Sequence, residues 1–123
     1  MSWQKNGNLF GFSPYKDVKL IDLLSYANTY SGKKVCTRGF YLQNDQVSII
    51  KTSLEDDNFT RSAWVSNPTG REIVTQIPGR ERITEATICG YFESQRAGEF
   101  GNPSVWNHQL TVEKSQTHGD AIK

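Results

Sequence analysis

From residue 17 the apolar side chains recur at helical spacing. Leu20, Ile21, Leu24 and Ala27 stand three and four apart with Leu23 beside them, which predicts a helix of two or three turns over 17–28. Asn28 to Gly32 supply its stop. Beyond it the period changes to two. Val35-Cys36-Thr37-Arg38-Gly39-Phe40-Tyr41 and Ala86-Thr87-Ile88-Cys89-Gly90-Tyr91-Phe92 each alternate between two faces, then place a glycine where the next inward side chain would fall. A strand with that pattern bends sharply, as strands do at the corner of a small barrel.

Three further strands complete the pattern. Asn44-Asp45 is a turn signal, and Val47 to Thr52 reads as the returning arm of a hairpin. Ala63-Trp64-Val65-Ser66 is a short third strand closed by Asn67-Pro68-Thr69-Gly70. Residues 71–84 hold Ile73, Val74, Ile77 and Ile83 around Pro78-Gly79, so they predict a short helix or an ordered connection before the fourth strand. A glycine-containing loop from Ser94 to Val105 leads to a fifth strand, Trp106 to Val112, with Leu110 and Val112 on one face. Residues 1–16, with Trp3, Phe10, Phe12 and Tyr15 among glycines and Pro14, read as an irregular arm laid over the domain. Residues 116–123 read as a flexible polar tail.

The 123 residues suit one domain with one core. Only 36% are hydrophobic, yet three Trp, five Tyr and six Phe set the chain apart from disordered sequences. Fourteen Lys and Arg against 13 Asp and Glu leave a formal net charge of +1, without the basic excess of a typical nucleic-acid binder. No run approaches the roughly 20 apolar residues of a membrane-spanning helix. Met1 to Asn8 lack a signal-type apolar stretch, which predicts a cytoplasmic protein, or a periplasmic or secreted one if an export signal precedes this start.

Candidate chemistry is sparse. Alternation puts Val35, Thr37 and Gly39 on one face with Ala86, Ile88 and Gly90 if the two phrases are antiparallel neighbours, leaving Cys36 and Cys89 together on the other. A reduced pair and a disulfide both remain open, because bonding needs Cα atoms within about 7 Å and a matching register. His108 with either cysteine would make a thiol site, but no local motif supports it. Asp56 and Asp57 have no predictable partner, and Asn58-Phe59-Thr60 matters only in a eukaryotic secretory setting. Gly98-Glu99-Phe100-Gly101 precedes a strand, whereas a phosphate cradle needs a helix N-terminus. Arg71, Arg80 and Arg82 beside Glu72 and Glu81 read as a solvated face. The expectation is a protein without catalytic, metal or cofactor machinery.

Five strands with a long connection between the third and fourth match the strand order of an OB-fold, a closed Greek-key barrel in which the first and fourth strands are neighbours. Tyr30-x-Gly32-Lys33-x-Val35 followed by Gly39-Phe40, the Ala63-Trp64-Val65 strand and the glycine-rich loop before the fifth strand resemble small bacterial OB-fold proteins of the anticodon-binding type, over residues 18–115. The resemblance implies a mainly β, five-stranded barrel with an N-terminal helix. It also implies a ligand face flanked by the loops after the first and fourth strands. Arg38, Phe40, Tyr41, Lys51, Trp64, Arg96, Phe100 and Trp106 are the candidate ligand-binding residues on that reading. Balanced charge and abundant aromatics favour a protein partner, as for a small inhibitor or immunity protein. The alternative is single-stranded nucleic acid stacked on Tyr41, Trp64 and Phe100 with Arg38, Lys51 and Arg96 on its phosphates.

Overall fold

A computed structural model describes residues 13–55, 61–94, 100–101 and 104–123. The elements are β1 (Lys16–Asp17), α1 (Leu20–Ser25), α2 (Ala27–Tyr30), β2 (Lys33–Gln43), β3 (Ser48–Lys51), β4 (Ser62–Ser66), β5 (Arg82–Ser94) and β6 (His108–Thr117). Strands β2, β3, β4, β6 and β5 pair in that order, and β5 pairs back to β2. The result is a closed five-stranded barrel with OB-like order. All its pairings are antiparallel except β4 with β6.

The two glycine-bearing phrases are the cores of β2 and β5, and they form the barrel's longest seam. Their register sets Val35 opposite Gly90, Thr37 opposite Ile88 and Gly39 opposite Ala86, all buried inside. Cys36 faces Cys89 on the outer wall, and their sulfurs are joined in a disulfide with the Cα atoms 4.0 Å apart. Register therefore settles the pairing that alternation alone left open.

Each seam glycine is required by a close approach. A Cβ on Gly39 would lie 2.8 Å from Leu20 Cδ2 and 2.9 Å from the Lys51 carbonyl oxygen, so the gap lets both α1 and β3 reach the strand. A Cβ on Gly90 would run into the Thr111 carbonyl. The β5–β6 register shifts there, from Cys89↔Lys114 to Gly90↔Val112, so β6 carries a bulge that leans on the glycine.

The N-terminal helix differs from the expected single run over 17–28. Residues 16 and 17 pair in parallel with Val35 and Cys36 as β1, and Val18 N–H donates to the Cys36 carbonyl at 3.0 Å. These bonds occupy the part of β2's edge that β3 does not reach. Helical structure starts at Leu20 and breaks at Tyr26 (φ −117°, ψ 43°). The buried stripe is Leu20 and Leu23, with Leu24 and Ala27 partly buried against the core. That is the i, i+3, i+4, i+7 set of one helical face. Ile21, counted in the stripe from sequence, falls off it and is 53% exposed.

Residues 67–81 form an ordered connection with no helix among them, and Ile73 and Val74 enter the core. At the C-terminal end β6 runs through Thr117. His118 N–H then donates to Glu85 O at 2.8 Å, Ile122 N–H donates to Ile83 O at 2.7 Å, and Lys123 pairs with Glu81 at 3.1 Å. The segment expected as a tail is thus hydrogen-bonded along the start of β5, which its polar composition did not reveal.

Candidate functional site

A cleft of roughly 420 Å³ opens at the end of the barrel where the β2–β3 hairpin turns. Asn44 builds the turn: its Oδ1 accepts the N–H groups of Gln46 and Val47, both at 2.8 Å, in an Asx arrangement. The facing wall is the 67–76 part of the connection, where the Asn67 amide donates to Arg71 O at 2.7 Å.

A relay of hydrogen bonds ties these walls together. The buried Tyr41 hydroxyl donates to Gln43 Oε1 at 2.7 Å and lies 2.8 Å from Ser48 Oγ. Gln43 Nε2 donates to Gln76 Oε1 at 2.9 Å, and Gln76 Nε2 donates to Asp45 Oδ1 at 3.2 Å. Asp45 also accepts the Gly79 N–H at 3.0 Å. Burial pushes the Tyr41 phenol up from its ordinary value, so it remains a donor at neutral pH. Asp45 and Glu72 stand on the exposed rim with Arg71. The site therefore carries both signs of charge over a floor that includes Val65 and the Tyr41 ring.

The residues nominated from sequence divide among several places. Trp64, Phe100 and Trp106 come together on the outer face of β3 and β4. The two indoles lie 5.0 Å apart, Phe100 and Trp106 exchange two backbone hydrogen bonds of 3.0 Å, and Trp106 Nε1 donates to Ser62 Oγ at 3.0 Å. The Gly101 backbone rests against both indoles. Trp106 is buried and Trp64 half-buried. Lys51 and Phe40 share this outer face by register. Lys51 is buried, and its Nζ donates to Leu54 O at 3.1 Å.

The remaining candidates lie elsewhere. Tyr41 points into the barrel, which corrects its expected place beside Trp64 as a surface platform. Its position on β2 shares the inward parity of Gly39 and Val35. Arg38 is on the outer wall of the seam, two residues from the disulfide, and pairs with Glu85 at 2.8 Å. Arg96 lies outside the described residues, as do Asp56, Asp57 and the Asn58-Phe59-Thr60 motif.

The thiol–imidazole pairing considered for His108 is not made. Both cysteines are bonded to each other, and His108 Nδ1 lies 3.0 Å from Ser94 Oγ with its ring stacked on Phe92. Burial pushes the His108 imidazole below its ordinary value. Among the described residues no three His, Cys, Asp or Glu side chains converge as metal ligands, and no helix is long and apolar enough to cross a membrane.

Sequence reasoning missed Gln43, Arg71, Glu72 and Gln76 as cleft residues. The available signal was positional: Asn44-Asp45 occupies the loop after the first barrel strand, which flanks the ligand face in OB-folds.

The fold and this site define a small closed β-barrel of OB-like order with a polar cleft at its hairpin end. No family profile matches the sequence, and no curated protein is significantly similar to it. Among solved structures, the fold is similar to the crystal structure of a DUF3299 family protein from Pseudomonas aeruginosa. The TM-score is 0.51 at 9% identity, over 88% of this chain and 99% of that one. At that identity the likeness is one of architecture.

Proposed function

We propose that this protein is a non-catalytic OB-like binding module whose partner is another protein, an inhibitor-like role in which the hairpin-end cleft receives a peptide segment. The observation that carries this reading is the rim of that cleft, where one guanidinium, Arg71, stands with two carboxylates, Asp45 and Glu72. A phosphate chain needs a positive track, whereas a protein segment carries both signs.

The outer β3–β4 face supports the same reading. Its two indoles pack on each other with the Gly101 backbone against both, so they are not free platforms for successive bases. The resemblance to anticodon-binding barrels is then a likeness of framework. The Cys36–Cys89 disulfide suits an oxidising compartment, which favours the periplasmic or secreted alternative over the cytoplasm.

Titration of the protein with fluorescently labelled single-stranded oligonucleotides at low salt tests the partner class. The expected result is no saturable binding. Binding that quenches tryptophan fluorescence and weakens steeply with added salt would transfer the site to nucleic acid.

A further inference from the structure

A second cleft, also roughly 420 Å³, opens at the opposite end of the barrel, between the α1–α2 break and the junction of β5 with β6. The β2–β5 register fixes its position: Gln43, next to the hairpin turn, pairs with Arg82, whereas Ser94 lies beyond the Lys33↔Phe92 pair. Tyr26, Asn28, Thr29, Ser94, Asn107 and His108 line it. Among the described residues no charged side chain does so, in contrast to the rim at the hairpin end.

The floor is held rigidly. Ser31, which caps α2, accepts the Ser94 N–H at 3.0 Å through its hydroxyl, and that hydroxyl donates to the Ser94 carbonyl at 3.3 Å. Ser94 is thereby fixed beside His108, whose ring is buried, stacked on Phe92 and neutral at pH 7. Hydroxyl, carboxamide and imidazole groups offer both donors and acceptors without charge. At the mouth, the Tyr26 aromatic ring is 64% exposed.

From this combination we infer a binding site for a neutral carbohydrate, with the Tyr26 ring lying against the C–H-bearing face of a sugar and the amide and hydroxyl groups meeting its hydroxyls. The volume falls within the roughly 300–1,000 Å³ of small-molecule sites, and mixed apolar and polar contact is what an amphipathic aromatic provides. Nucleotides and sugar phosphates are disfavoured, because among the described residues no cation lines the cleft to meet a phosphate. The inference does not rest on the protein-binding reading, which concerns the other end of the barrel.

NMR titration of the ¹⁵N-labelled protein with cellobiose, maltotriose, N,N′-diacetylchitobiose and glucose 6-phosphate tests it. At least one of the three neutral sugars is expected to give saturable shifts, at concentrations up to about 10 mM, confined to the amides of residues 24–29, 94 and 107–108. Tyr26→Ala should weaken that binding about tenfold. Tyr26→Phe should retain it, as should Tyr91→Ala at an exposed position elsewhere on β5. Tyr26 is too exposed for its replacement to threaten folding. The inference is overturned if no neutral sugar saturates, if shifts fall outside those amides, if Tyr26→Ala binds like the wild type, or if only glucose 6-phosphate binds.

Discussion

The two ends of the barrel differ in how their clefts are made and in the chemistry they display. The hairpin end is built by turns, with Asn44 and Asn67 organising the walls and a relay from Tyr41 to Asp45 tying them together, and its rim is charged. The helix end is built where a broken helix meets two strand termini, and the described residues of its lining are uncharged. Both hang from one seam, β2 with β5. One frame thus presents two surfaces of different chemistry, and damage to the seam should reach both.

Damage to the seam should therefore have the largest effect and should not discriminate. Reducing the disulfide, or replacing both cysteines by serine, removes a crosslink over a sequence separation of 53. Unfolding in urea should then show a loss of about 4 kcal/mol, the chain-entropy value for a loop of that size. Gly90→Ala drives a methyl into the Thr111 carbonyl and should cost about 3 kcal/mol, at the upper end of overpacking effects. If either change selectively disturbed the amides of one end, the two clefts would not share a common support.

Smaller changes should separate the ends. Tyr41→Phe removes the hydroxyl from Gln43 and Ser48 and should cost about 1 kcal/mol, with spectral changes restricted to the hairpin end. At the helix end the lever is pH. His108 is depressed in the folded protein by burial, so the unfolded chain takes up its proton first as pH falls. The neutral ring's contribution is complete above the unfolded value of about 6.5 and is lost as pH drops below it towards the folded value. Midpoint temperatures measured from pH 7.5 down to 5 should fall less steeply in His108→Gln than in the wild type. Equal slopes would mean that His108 is not held neutral by burial.

The seam was the most legible part of the molecule. Strand alternation with a misplaced glycine is a property of seven residues at a time, so it places Val35, Thr37 and Gly39 with Ala86, Ile88 and Gly90 once the two phrases are antiparallel neighbours. The disulfide was not decidable at that level, because register belongs to the pair of strands and not to either one. Ile21 was misplaced because a helical stripe and its neighbours are equally apolar in sequence, and only docking selects one face. The hairpin-end cleft joins residues from 41–48 with residues from 65–76, whose proximity depends on the connection's path rather than on a local motif. Trp64 and Trp106 were recognisable as a pair of large aromatics. Their packing under Gly101, which turns a platform into a covered surface, was not.

The central claim, that the charged hairpin end receives a protein segment, is tested most directly by site-specific photo-crosslinking in extract of the producing cell. A benzophenone amino acid replaces either Gln46 at the hairpin end or Asn28 at the helix end, two exposed positions. The account predicts a discrete protein adduct from position 46 that is absent from position 28 and is lost when Arg71→Glu is added. Adducts of equal yield from both positions, an adduct at 46 that is indifferent to Arg71→Glu, or crosslinking to nucleic acid alone would contradict it.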